Sequence, residues 1–201
     1  MADIIVTRAD EVIAKLQTET VAAVLSIEHP HAKDLQNGRA PRLDEHGYGH
    51  IPQKILSFYD METRVPNGPD IDQVREGLQF VMDHLAEGPV IIHCKAGRAR
   101  SVGIALGVLA LVYPDMNEKE IVDMMKDMRP IAAPNILVVE MIDQLTGRGG
   151  RLVQAVLDDP VMTEHRREIE EHRQQLIASR PDIAARLYPE KINKPPEGPA
   201  T

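Results

Sequence analysis

Residues 90–101 read V-I-I-H-C-K-A-G-R-A-R-S and combine the end of a strand, a tight loop and the start of a helix. The apolar run 90–92 is typical of a buried strand and brings His93 and the only cysteine, Cys94, to its end. A helix-like apolar segment begins at Ser101. Where such a loop meets a helix N-terminus, backbone N–H groups converge and the helix dipole adds partial positive charge. The stretch therefore predicts a binding site for an anion.

The side chains of this loop predict a nucleophile beside the bound anion. A thiol near a guanidinium at a helix N-terminus loses its proton easily, and Arg100 follows Cys94 within the same short loop. Gly97 lets the backbone turn inward, and Arg100 can add a bidentate clamp. The alternative is a buried cysteine with an unrelated surface arginine. The residues expected to hold the anion, chiefly through their backbone N–H groups, are Lys95, Ala96, Gly97, Arg98, Ala99 and Arg100.

The composition argues against several other classes of protein. With 201 residues, 43% of them apolar, the chain is long enough for one domain with a sizeable core. A formal net charge of −8 argues against a nucleic-acid partner, which would need a basic face. One cysteine cannot form an internal disulfide, and the sequence shows neither a signal pattern nor a long apolar run. We therefore expect a cytoplasmic protein without integral membrane association.

Strand-like and helix-like segments alternate along most of the chain, which predicts an α/β domain with a central, mostly parallel sheet flanked by helices. Ligands of such sheets bind beyond the carboxyl ends of the strands, where Cys94 falls. The expected strands cover 3–7, 21–27, 54–59 and 89–93. The expected helices cover 9–16, 70–85, 98–112, 117–128, 135–146 and 150–158, and 28–50 is expected to be a loop region.

The full string H-C-x-x-G-x-x-R-S resembles the signature of the cysteine-dependent protein tyrosine phosphatase superfamily. It matches at His93, Cys94, Gly97, Arg100 and Ser101. The lack of a W-P-D string favours the smaller, dual-specificity-like branch and its fold. Downstream, A-P-N-I-L-V-V-E-M-I-D-Q-L-T-G-R-G-G-R-L-V-Q-A-V resembles the C-terminal part of bacterial tyrosine phosphatases of the alphaproteobacterial type. The resemblance covers about residues 3–158.

This resemblance implies hydrolysis of a phosphomonoester through a phosphocysteine intermediate, with no metal or cofactor. Cys94 would attack phosphorus, Ser101 would hydrogen-bond the sulfur, and His93 would orient the loop from behind. The implied substrate is a phosphorylated protein or a small phosphomonoester. Phosphotyrosine is the expected main substrate, and phosphoserine and phosphothreonine are further candidates. Lys95 and Arg98 resemble basic residues in loops of phosphoinositide and phosphatidylglycerophosphate phosphatases, so a lipid phosphate is the alternative substrate. Two solvated side chains explain the same residues equally well.

A leaving oxygen needs a proton, and the superfamily takes it from an upstream aspartate on another loop. Asp60 fits, because it follows the apolar run I-L-S-F-Y. Glu62 is the neighbouring alternative, whereas Asp70 is expected to cap the helix that follows it. Asn135 is expected to cap another helix, although its segment could lie beside the loop.

Other uses of a similar loop are less well supported by the residues. A phosphate-binding pseudoenzyme would lack the nucleophile, the arginine or the acid. A persulfide carrier needs no acid, and an arsenate reductase needs further cysteines. The histidine pairs in 29–31 and 46–50 lack the helical spacing and cysteine neighbours of a metal site, so we expect no metal.

The C-terminal part of the chain differs in character. Residues 163–180 are heavily charged, with Arg166–Glu170 and Arg167–Glu171 at i,i+4 spacing. This pattern predicts a solvated helix, with a partner surface as the alternative. We therefore expect a phosphatase domain over 1–158, a charged helical extension over 159–188 and a disordered tail over 189–201.

Overall fold

The computed structural model describes residues 3–187, and its centre is a four-stranded, all-parallel sheet in the order β1-β4-β2-β3. The strands are β1 (Ile4–Arg8), β2 (Ala23–Glu28), β3 (Gln53–Ser57) and β4 (Val90–Cys94). The helices are α1 (Val12–Thr18), α2 (Ile71–His84), α3 (Arg100–Val112), α4 (Glu118–Met128), α5 (Ile136–Thr146), α6 (Arg151–Asp158), α7 (Pro160–Ser179) and α8 (Pro181–Leu187). The predicted α/β class with a central parallel sheet is confirmed.

Strand β4 lies inside the sheet and is buried along its whole length, as its β-branched residues require. Val90 and Ile92 face the larger core under the helices that follow, whereas Ile91 faces a smaller core with Val12 and Leu16 of α1. Both faces of the sheet are therefore covered. This arrangement brings the carboxyl end of β4, and Cys94 with it, to the edge where loops from the neighbouring strands meet.

Helices α3 and α5 pack closely because α3 carries two glycines on the face toward α5. A Cβ on Gly103 would come 2.7 Å from Val138 Cγ1, and one on Gly107 would come 2.5 Å from Ile142 Cδ1. Only hydrogen at these positions allows so close an approach. The contact holds the N-terminus of α5 beside the loop that follows β4.

The predicted elements agree with the observed ones except at several ends. The expected helix 9–16 begins as a 3₁₀ turn at Ala9–Glu11 and continues as α1. The loop region 28–50 contains a 3₁₀ turn at Asp44–His46, and α3 begins at Arg100 rather than at residue 98. The predicted tail 189–201 lies outside the described residues. Within residues 3–187, each helix is too short or too polar to cross a bilayer.

Helix α7 is largely exposed to solvent over 163–180, as its charge pattern predicts, but part of it contacts the body of the molecule. Met162 is fully buried in the main core, and Arg173 is only 7% exposed. The predicted Arg167–Glu171 pair forms, but Arg166 pairs with Glu62 of a distant loop instead of Glu170. The predicted Arg166–Glu170 pair is wrong, because Arg166 finds its partner on the body of the molecule rather than on its own helix.

Candidate active site

The loop at residues 95–99 turns sharply between β4 and α3, and one glycine makes the turn possible. Gly97 has φ +61°, a left-handed conformation that residues with a side chain rarely adopt. A Cβ at this position would also overlap the main-chain carbonyl of Thr7 in the adjacent strand β1. The sequence-predicted inward turn therefore occurs, and it needs glycine for both reasons.

The peptide groups of this loop are oriented so that their carbonyls point outward. Ala9 N–H donates to Lys95 O (3.3 Å), and Arg129 donates to Gly97 O (2.9 Å) and Ala96 O (3.4 Å). The remaining two carbonyls, of Arg98 and Ala99, accept from the N–H groups of Ala133 (2.8 Å) and Asn135 (3.4 Å).

Conversely, the N–H groups of residues 95–99 have no hydrogen-bond acceptor anywhere in residues 3–187. Helix α3 also begins without a side-chain cap, so the start of the helix adds its own N–H groups and dipole. Unpaired donors together with a helix N-terminus form an anion-binding nest.

Cys94 lies at the base of this nest and is 2% exposed. Burial alone would raise the pKa of its thiol, and the Asp60 carboxylate acts in the same direction. The positive charge of Arg100, the Ser101 hydroxyl 3.2 Å from Sγ and the Ser101 N–H outweigh them and lower the Cys94 pKa below its ordinary value. The arrangement favours a buried thiolate, the nucleophilic form of cysteine.

Arg100 is buried, and its guanidinium is fixed from one side. Its Nη1 donates to the main-chain carbonyls of Phe58 (2.7 Å) and Glu28 (3.1 Å), at the ends of β3 and β2. Its Nε is buried and has no acceptor in the described part of the chain. An unpaired buried donor is costly, so this edge of the guanidinium is well suited to an anion in the nest.

His93 lies behind the loop and is fully buried. Its Nε2 is 2.8 Å from the hydroxyl of Ser26, which accepts a hydrogen bond from Gln53 Nε2 (2.9 Å). Burial and the charge of Arg100 lower the His93 pKa to about 4, against the opposing effects of the Cys94 main chain and Glu28. A neutral imidazole at neutral pH fits the predicted orienting role rather than acid–base chemistry.

The basic side chains of the loop are not simply solvated. Lys95 Nζ donates to the main-chain carbonyl of Gln36 (2.6 Å). Arg98 donates to the carbonyl of Ile131 (3.0 Å) and to Glu168 of α7 (3.4 Å). Both cations join the loop to neighbouring segments.

Asp60 lies on the loop after β3, and two donors hold its carboxylate. Asn135 Nδ2 donates to Oδ1 (2.9 Å), and Arg173 Nη2 donates to Oδ2 (3.1 Å). The negative charge of Asp60 acts to raise the pKa of Cys94. Asn135 caps α5 as expected, with its Oδ1 accepting from Val138 N–H (3.1 Å).

The competing carboxylates have other partners. Glu62 pairs with Arg166 (2.9 Å) and accepts from the N–H of Ile136 (3.2 Å), at the start of α5. Asp70 caps α2 as expected, accepting from Gln73 N–H (3.0 Å). Glu62 and Asp70 are thus each bound to the start of a helix, Glu62 at α5 and Asp70 at α2.

Two arginines at this site escaped the sequence analysis. Arg129 braces the loop carbonyls from outside, and Arg173 contacts Asp60 from a helix beyond the region of resemblance. Arg129 follows directly after α4 and precedes Pro130, so the sequence marks it as the end of a helix. Nothing in the local sequence around Arg173 indicates its partner. The histidines of 29–31 and 46–50 join no group of three metal-ligating side chains within residues 3–187.

Comparison with known proteins relates this fold to solved phosphatase structures. No family model matches the chain, and no curated protein matches it at a significant level. The crystal structure of PTPMT1 superposes with a TM-score of 0.58 and 19% identity over 77% of this chain and 94% of that chain. The human tyrosine phosphatase-like serine/threonine/tyrosine-interacting protein superposes with a TM-score of 0.59 and 13% identity over 74% of this chain and 93% of that chain. Human DUSP28 superposes with a TM-score of 0.56 and 12% identity over 74% of this chain and 94% of that chain.

These likenesses establish the fold. The chain has the α/β architecture of the dual-specificity-like protein tyrosine phosphatases, as the resemblance of its loop implies. These solved structures are matched over 93–94% of their own length.

Proposed function

We propose that this protein is a cysteine-dependent phosphatase that hydrolyses phosphomonoesters through a phosphocysteine intermediate. The observation that carries the proposal is the nest itself: loop carbonyls bonded outward, loop N–H groups without acceptors, and a thiol of lowered pKa at its base. The fold of the similar solved structures supports the same class of chemistry.

In the first step, the Cys94 thiolate attacks phosphorus in line with the ester oxygen. The sulfur–phosphorus bond forms as the phosphorus–oxygen bond breaks, and Asp60 gives its proton to the leaving oxygen. The N–H groups of residues 95–99 and the Nε edge of Arg100 stabilise the charge on the three non-bridging oxygens.

In the second step, Asp60 takes a proton from water, and the resulting hydroxide attacks the phosphocysteine. The phosphorus–sulfur bond breaks, inorganic phosphate forms, and the thiolate returns with the hydrogen bond from Ser101. Because both steps use groups already present, no metal or cofactor is required.

For the substrate, we propose phosphotyrosine in a protein, with phosphoserine or phosphothreonine as secondary substrates. We place the phosphatase domain at residues 1–158, with the charged extension over 159–188, and we propose a cytoplasmic location because the single cysteine needs a reducing compartment. A lipid phosphate is the second candidate, since one similar structure is PTPMT1 in complex with PI(5)P. Lys95 and Arg98, the cations that would favour such a headgroup, are engaged with main-chain carbonyls here.

The decisive test is a comparison of kcat/KM on phosphotyrosine peptides, phosphoserine peptides, phosphoinositides and phosphatidylglycerophosphate. We expect the phosphotyrosine peptides to be the best substrates. A lipid phosphate that exceeds them would replace the proposed substrate and leave the mechanism intact. A failure of every phosphomonoester, including p-nitrophenyl phosphate, would overturn the proposed function.

A further inference from the structure

Helix α7 touches the proposed active site at several points, although it lies outside the region that resembles known phosphatases. Arg98 of the loop reaches Glu168, and His165 Nδ1 lies 3.1 Å from the carbonyl of Ala132, in the segment before α5. Arg166 donates through both Nε and Nη2 to Glu62. The helix therefore contacts the nucleophile loop, the start of α5 and the loop that carries Asp60.

Arg173 makes the most direct of these contacts. Its Nη2 lies 3.0 Å from the main-chain carbonyl of Asp60 and 3.1 Å from the carboxylate oxygen Oδ2. One guanidinium thus fixes both the backbone and the side chain of the same residue. The Arg173 side chain is 9% exposed, so its charge acts in a poorly hydrated place where such pairs are strong when geometry is good.

The contact leaves Asp60 able to act. A carboxylate offers about four acceptor positions, and Asn135 and Arg173 occupy one on each oxygen. Each oxygen keeps a position for the proton that the leaving group needs. The two donors therefore fix where the carboxyl group points without blocking it.

A cavity of about 370 Å³ lies between these parts. Its walls include Asp60 and Thr63 of the acid loop, Ala99 beside the nucleophile, and Ile169 and Arg173 of α7. Arg173 of the helix contacts Asp60 of the acid loop directly. Displacing α7 would therefore remove one of the two donors that hold the Asp60 carboxylate and leave only Asn135.

On the basis of the proposed function, we propose that Arg173 is a positioning residue that aims the carboxyl group of Asp60 at the leaving oxygen. Helix α7 is then a working part of the active site rather than an appendage. Substrates with poor leaving groups, which need the proton most, depend on Arg173, whereas substrates with good leaving groups do not.

The test measures kcat/KM, which reports the first chemical step, on phenyl phosphate and on p-nitrophenyl phosphate. In Arg173→Gln, kcat/KM is expected to fall about ten-fold on phenyl phosphate and less than about two-fold on p-nitrophenyl phosphate. The roughly ten-fold loss is smaller than the roughly 100-fold that the general acid itself supplies, because Asp60 is still present. In an Asp60→Asn background, the same substitution is expected to cause no further loss on either substrate.

Arg167→Gln is the matched control, because Arg167 lies on the same helix and, among residues 3–187, pairs with Glu164 and Glu171 of that helix alone. It is expected to behave as wild type on both substrates. Equal losses on the two substrates, losses that add to those of Asp60→Asn, or a gain of activity would each overturn the positioning role.

Arg166→Gln is the second variant, and it decides the question if Arg173→Gln does not fold. Arg166 joins the same helix to the same loop through a more exposed pair with Glu62. We expect kcat/KM to fall about two- to three-fold on phenyl phosphate alone, because a partly exposed ion pair contributes less than a buried one. A uniform loss or no change would overturn the proposal. Failure of the proposed function is a separate result, because the wild-type protein would then hydrolyse neither phenyl phosphate nor p-nitrophenyl phosphate.

Discussion

The two halves of the proposed active site are held together in different ways. The nucleophile half is one continuous stretch between a strand and a helix, and Cys94, Arg100 and Ser101 in it are almost inaccessible to solvent. The acid half joins Asp60 to Asn135, 75 positions away, and to Arg173, 113 positions away. The first half is fixed by its neighbours in sequence, whereas the second exists only when α5 and α7 are packed in place. Substitutions in the two halves should therefore leave different kinetic signatures.

The largest effect should come from the sulfur atom itself. Cys94→Ser is expected to lower turnover of p-nitrophenyl phosphate by on the order of 10⁴-fold or more, because a hydroxyl in this nest is a far weaker nucleophile. Binding of orthovanadate, measured by calorimetry, should survive because the N–H groups and Arg100 remain. Substantial residual turnover would remove Cys94 from the nucleophile role.

The acid half should show a large but selective effect. Asp60→Asn is expected to lower kcat/KM on phenyl phosphate by about 100-fold, because an amide cannot give the leaving oxygen a proton. The loss on p-nitrophenyl phosphate should be much smaller. Glu62→Gln is the matched control, and a larger effect there than at Asp60 would transfer the acid role to Glu62.

A smaller effect, confined to the nucleophile half, is expected for Ser101→Ala. The hydroxyl and N–H of Ser101 help to lower the Cys94 pKa, so removal of the hydroxyl should raise it. Inactivation by iodoacetate should then require higher pH, and hydrolysis of the phosphocysteine should slow by about ten-fold. The ratio of rates on phenyl and p-nitrophenyl phosphate should stay that of wild type. A changed ratio would mean that the two halves are coupled.

The smallest effect is expected for Arg129→Gln, which removes the outer brace on the carbonyls of Ala96 and Gly97. Loss of one or two hydrogen bonds at the rim should raise KM by about two- to three-fold. Because the brace supports the nest and not the acid, the rise should be equal for both aryl phosphates. A preference for one substrate would contradict this division of the site.

The same division explains what the sequence could predict. The strand, loop and helix around Cys94 follow from residues that touch one another along the chain, so the nest and the parallel sheet were predictable. The cap at Asn135 was predictable for the same reason, but its hydrogen bond to Asp60 depends on how two distant segments pack. Arg173 could not be found, since an arginine that pairs within a charged helix and one that pairs across the molecule look alike in sequence.

The close seam between α3 and α5 has a consequence for chemistry that happens elsewhere. Gly103 and Gly107 contain no reactive group, yet their lack of a side chain determines how closely Val138 and Ile142 of α5 pack against α3. The position of α5 in turn determines where Asn135 lies relative to Asp60. One methyl group added in that seam would tilt a helix end and misalign a proton donor that it never touches. The position of the proton donor thus depends partly on two residues of this molecule that have no side chain.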